Sequence, residues 1–126
     1  MNDYESLRDA LTFYSSYKSA IKSKESIFEK YACDGSLNTY LVLDKFDKIT
    51  YEISKMNHLA SLISDWLKMQ KPSDLNILTL RYRYNMHIQD VASHVGIHRR
   101  NIYKKLSRMN SSFENYLQVN KGRFIT

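Results

Sequence analysis

The chain contains one cysteine, Cys33, one proline, Pro72, and three glycines in 126 residues. A lone cysteine excludes an internal disulfide. So few prolines and glycines leave few tight turns, which disfavours sandwiches and barrels and favours long helices. No run of about 18 apolar residues occurs, and no basic-apolar leader is recognisable, so no membrane partner is expected and the expected location is cytoplasmic. Also missing are a glycine-rich phosphate loop, paired catalytic carboxylates and a nucleophile beside a base, so enzymatic activity is not expected. Cys33, His58, His87, His94 and His98 lack the spacing of a ligand set. His94 and His98 are four apart, yet Gly96 breaks the helix between them, and neither a metal nor another cofactor is expected.

What is present is charge, unevenly placed. The net charge is +6, but residues 1–80 hold 10 Lys and Arg against 11 Asp and Glu, whereas residues 81–126 hold 9 against 2. All of the excess lies in the C-terminal part. An even spread would indicate only solubility; an excess confined to one segment fits either a solvated basic face or a surface for a phosphate backbone.

The length suits one domain, or a domain with an extension, since independent cores take on the order of 100 residues. The first part reads as a helical hairpin. Val42, Phe46, Ile49, Ile53, Met56, Ala60, Ile63 and Leu67 alternate steps of four and three, a heptad seam on a helix expected over 36–69 and roughly 50 Å long. A rod of that length needs a partner. Upstream, Tyr4, Leu7, Leu11, Tyr14, Ile21 and Phe28 form a similar seam interrupted by Lys18 and Glu25, with Asn2 and Glu5 spaced as a capping box. Between the seams, Cys33 ends the first helix, Gly35 can turn the chain and Ser36 can cap the second. The length of the seam favours a homo-oligomer, a dimer first, against a monomer whose hairpin folds wholly on itself. A second line, Leu59, Leu62 and Trp66, is displaced from the seam and is expected to receive the C-terminal part.

Pro72 suits the first turn of a further helix with Leu75, Leu78 and Tyr82 on its inner face. Beyond it, Val91, Ala92 and Val95 mark the inner face of a short helix. Gly96 ends that helix with a positive φ, Ile97 tucks back, and Ile102 and Leu106 resume the apolar line on the next helix. Two helices joined by such a turn form a helix-turn-helix, whose second helix enters the major groove of DNA. The outward face of that second helix carries His98, Arg99, Arg100, Tyr103, Lys104, Ser107 and Arg108.

The segment from Pro72 to Asn110 resembles the fourth conserved region of bacterial sigma factors. The matching residues are Pro72, Leu78, Leu80, the Arg81-Tyr82 pair, Val91-Ala92, Gly96-Ile97 and Ile102. His98 stands where that region usually has a Ser or Thr cap. Joined to a long helical N-terminal half in a small basic protein, the motif is similar to the phage and prophage transcription regulators of the RinA and ArpU type. The resemblance implies regulation of transcription, with RNA polymerase as a further partner, and no independent promoter opening.

The expected fold is therefore all-α: a coiled-coil-like hairpin over 1–70 for oligomerisation, a sigma-like helix-turn-helix domain over 71–118, and a basic tail over 119–126. The expected partner is double-stranded DNA, read by a helix over 98–109. Arg99 and Arg100 can bind guanine O6 and N7 bidentately, or phosphates. Lys104 can reach phosphate or base, and Arg108 phosphate, with Ser107 on the same face. Tyr103 faces DNA or packs at the domain edge, and His98 binds a phosphate or caps its own helix. Gln89, at the start of the first helix, is placed for the DNA backbone. Two other classes share this architecture: a small-terminase-like DNA-packaging subunit, and a polymerase-binding accessory protein with weak DNA affinity.

Overall fold

The computed structural model describes residues 7–33 and 39–120. Every regular element among them is helical: α1 Leu7–Cys33, α2 Thr39–Lys68, α3 Pro72–Leu78, α4 Ile88–Val95 and α5 Arg99–Asn120, with a wide π-type turn over Thr79–Arg83 between α3 and α4. The expected capping residues Asn2 and Glu5, and the turn residues Gly35 and Ser36, lie outside the described residues.

Helices α1 and α2 pair antiparallel. Phe28 meets Phe46 with ring centres 4.7 Å apart, and one turn further along Lys24 binds Glu52 at 2.6 Å. The pair holds the Glu52 carboxyl below its ordinary value of 4.5, through the Lys24 hydrogen bond first and the Lys24 charge second, against a smaller opposing effect of desolvation. The heptad seam of α2 packs here, with Val42, Ile49, Ile53 and Met56 half-buried and Ala60 and Ile63 buried. It is thus used within the chain. Phe46, of the same seam, keeps 43% of its surface exposed, so α1 covers the seam in part towards the tip and fully at Ala60 and Ile63.

The core lies at the base of the hairpin and takes residues from every helix. Leu7, Ala10 and Phe13 of α1 and Ala60, Leu62, Ile63 and Trp66 of α2 join Ile77, Leu78 and Leu80, then Val91 and Ala92, then Ile102, Leu106, Met109, Phe113 and Leu117. Trp66 is the hub: its ring stands edge-on to Phe113 at 5.2 Å, and its indole N–H donates to Ser112 Oγ at 3.4 Å. The line Leu59, Leu62 and Trp66 does receive the C-terminal part. A second tie runs from Leu7, whose backbone N–H donates to Asn110 Oδ1 at 2.9 Å, so a side chain of α5 satisfies an orphan donor in the first turn of α1. Residue 70 is therefore a bend in the chain and not a break in the core. At about 1.5–3 kcal/mol for each large apolar side chain fully buried, this shared cluster is the main source of cohesion between the first two helices and the last three.

Two expected boundaries move. Helix α5 continues past 109 to Asn120, because Leu106, Met109, Phe113 and Leu117 keep the helical spacing and no glycine or proline interrupts them. Val119 and Asn120 accordingly belong to α5 and not to a tail, with Asn120 buried and its amide donating to Tyr116 O at 2.8 Å. Pro72 takes the first turn of α3 as expected, after Lys71 in an extended conformation.

Candidate nucleic-acid interface

Gly96 sets the angle between α4 and α5. It adopts φ +84°, its N–H donates to Ala92 O at 2.8 Å, and the N–H of Ile97 shares the same acceptor at 3.2 Å. A Cβ here would meet nothing within 4 Å, so glycine is required by conformation and not by crowding. Val91 and Ala92 are buried beneath the turn, with Val95 and Ile97 packed at its edge.

His98 caps α5. Its Nδ1 accepts the backbone N–H of Arg100 at 3.1 Å, as a Ser or Thr hydroxyl would. An accepting Nδ1 puts the proton of the neutral ring on Nε2, a donor suited to phosphate. The two roles weighed for this residue are thus compatible, and the cap is the one formed within the chain.

From the cap, α5 divides into two faces. Ile102, Leu106 and Met109 are buried, whereas Arg99, Arg100, Tyr103, Lys104, Ser107 and Arg108 are all exposed. Tyr103 is 58% exposed and stands clear of the core, so packing at the domain edge is not its role. Arg100, Lys104 and Arg108 are four residues apart and form one cationic row. Lys105 turns the other way: its Nζ lies 3.6 Å from Asp74 Oδ1, a buried oxygen without a hydrogen-bond partner. That ion pair clamps α5 to α3, removes Lys105 from the outer face, and offsets the charge of a carboxylate that would otherwise be isolated in the core.

Gln89 is exposed in the first turn of α4, whose N-cap residue His87 makes no side-chain capping bond, so the first N–H groups of the helix have no side-chain acceptor there. The eight expected contact residues thus all lie on the solvent side of the two-helix unit. The link before α4 adds two residues, Arg83 and Tyr84, to which the sequence alone assigned no role. Arg81 donates from Nη1 to Met86 O at 2.8 Å and braces the link internally, and Asn85 takes φ +53° within it. Arg83 and Tyr84 are exposed, the guanidinium 6.0 Å from the ring centre. Their signal was the alternation Arg81-Tyr82-Arg83-Tyr84, in which the second pair falls where the π-type turn releases the chain.

The charge of this unit is nearly all of one sign. Among described residues from 81 onward, Asp90 and Glu114 are the acids against Arg81, Arg83, Arg99, Arg100, Lys104, Lys105 and Arg108. Among the described residues no group of three or more His, Cys, Asp or Glu could hold a metal ion, and no helix is long and apolar enough to cross a membrane. Set beside family models, curated proteins and solved structures, the chain matches none of them.

Proposed function

We propose that the chain is a sequence-specific, double-stranded DNA-binding transcription regulator, phage or mobile-element encoded, that reads the major groove with residues 98–109. The observation that carries this reading is the division of α5. Its first three turns offer Arg99, Arg100, Lys104 and Arg108 to solvent with no acid among them, while its inner row fixes the helix rigidly to the core. A cationic helix held by its back and open at its front fits a groove lined by phosphates. Arg99 and Arg100 at the helix start have the reach for guanine O6 and N7, Lys104, Ser107 and Arg108 for the flanking phosphates, and Gln89 and His98 for the strand crossed by α4. The protein acts as an oligomer and engages RNA polymerase through its sigma-like module.

The test is a fluorescence-anisotropy titration of a duplex selected for binding, with wild type and with the Arg99→Ala, Arg100→Ala double variant. Loss of about 100-fold or more in affinity with an unchanged helical circular-dichroism spectrum is expected, since two bidentate contacts are worth about 1–3 kcal/mol each. Unchanged affinity would remove α5 as the reading helix.

A further inference from the structure

The hairpin leaves one face of α2 open towards its tip. Tyr40, Asp44, Lys48, Tyr51 and Lys55 follow steps of four, four, three and four, so they form one stripe along the helix, and all five are exposed. The same stripe continues into Leu62 and Trp66, which are covered at the base of the hairpin. Lys55 holds its ammonium on this face, 5.3 Å from the centre of the Tyr51 ring.

The stripe has the area for a protein partner. Tyr40 is 86% exposed, Tyr51 64%, and the flanking Leu41 and Leu43 49% and 53%. At roughly 200 Å² for a whole large side chain this is on the order of 500 Å² of mostly apolar surface. The stems of Asp44, Lys48 and Lys55 bring the face towards the roughly 800 Å² per partner of a standard stable interface.

The order of charges identifies that partner. Asp44 and Lys55 are eleven residues apart, about three helical turns. If a second α2 lies antiparallel across the first, with a two-fold axis between positions 49 and 50, Asp44 of each copy falls opposite Lys55 of the other, and Lys48 opposite Tyr51. Each favourable pairing then occurs twice, the signature of an isologous contact, whereas a parallel arrangement sets Asp44 against Asp44 and Lys55 against Lys55. Nucleic acid fits less well, because Asp44 sits within the stripe and the part of the chain up to residue 80 has 10 basic against 11 acidic residues. We infer that this face binds a second copy of the chain, α2 against α2, antiparallel. The inference rests on reading the protein as an oligomer and is independent of its reading of DNA. An isologous face closes at two copies, so the product is a dimer and not a ring.

The experiment is sedimentation equilibrium on the full chain, wild type, Asp44→Lys and Lys55→Asp, singly and mixed in equal amounts. Wild type is expected to dimerise. Each single reversal places like charges opposite each other at both ends of the interface and is expected to weaken the dimer about tenfold, and mixing the two variants is expected to restore association, as a heterodimer in which positions 44 and 55 again face each other with opposite charges. A monomeric wild type, a ring, indifference to the single reversals, or no recovery on mixing would each overturn the inference. Binding of either variant to a duplex carrying one half-site is measured in parallel and is expected to match wild type; its loss would count against the DNA reading and leave the sedimentation result to be judged alone.

Discussion

Lys104 and Lys105 are neighbours in sequence with opposite duties. Lys104 is exposed on the cationic row, whereas Lys105 reaches back to the buried Asp74. Replacing Lys105 with Ala leaves a buried carboxylate oxygen with neither a hydrogen bond nor a countercharge and is expected to lower stability by about 1–3 kcal/mol in urea unfolding. Replacing Lys104 with Ala is expected to leave stability unchanged and to reduce the slope of log affinity against log salt by about one charge. Equal effects of the two substitutions on both measurements would remove the distinction. His98 gives a second contrast. Its Nδ1 cap predicts that His98→Ala costs about 1 kcal/mol and that His98→Asn recovers most of it, read as the shift in thermal midpoint.

The Gly96 turn, the inner face of α4 and the first turns of α5 were legible in the residues because each rests on local rules: a left-handed position that glycine occupies most cheaply, and apolar spacing of three and four. Gly96→Ala is expected to cost about 1–2 kcal/mol through φ +84° alone, since the space is free, and Gly96→Asn less; thermal unfolding checks both. The full length of α5 was also written in its spacing, through Met109, Phe113 and Leu117, but stopping at the cationic row hid it. The remaining features depend on tertiary contacts. Nothing around Asp74 marks it as buried, nothing in Thr79–Arg83 marks a π-type turn, and Ala10 and Phe13 join the core only because α1 meets α2 and α5 at its first turns. The seam of α2 showed correctly that the helix needs cover, yet periodicity cannot tell a partner in the same chain from one in another.

The α1–α2 pair and the α3–α5 unit share one core through Trp66, Phe113 and the Leu7–Asn110 hydrogen bond, so α5 cannot swing independently of α1 and α2. Phe113→Ala is therefore expected to cost about 3–5 kcal/mol and to unfold both parts in a single transition. In the antiparallel dimer, the two Trp66 residues lie 33 helical positions apart across the pairing, roughly 50 Å at 1.5 Å per residue. That exceeds the ~34 Å of one DNA turn, so half-sites more than one turn apart are expected in place of the single-turn spacing that a compact dimer would read.

The proposal that the cationic face of α5 reads sequence is tested most directly by selecting bound duplexes from a random DNA pool. The best duplex is then titrated by fluorescence anisotropy at several salt concentrations beside an unrelated duplex. A preferred, two-fold-symmetric site that stays at least about 1,000-fold tighter than the unrelated duplex at physiological salt is the expected result. Equal affinity for both duplexes, falling steeply and together as salt rises, would contradict it, because phosphate contacts alone would then account for all of the binding.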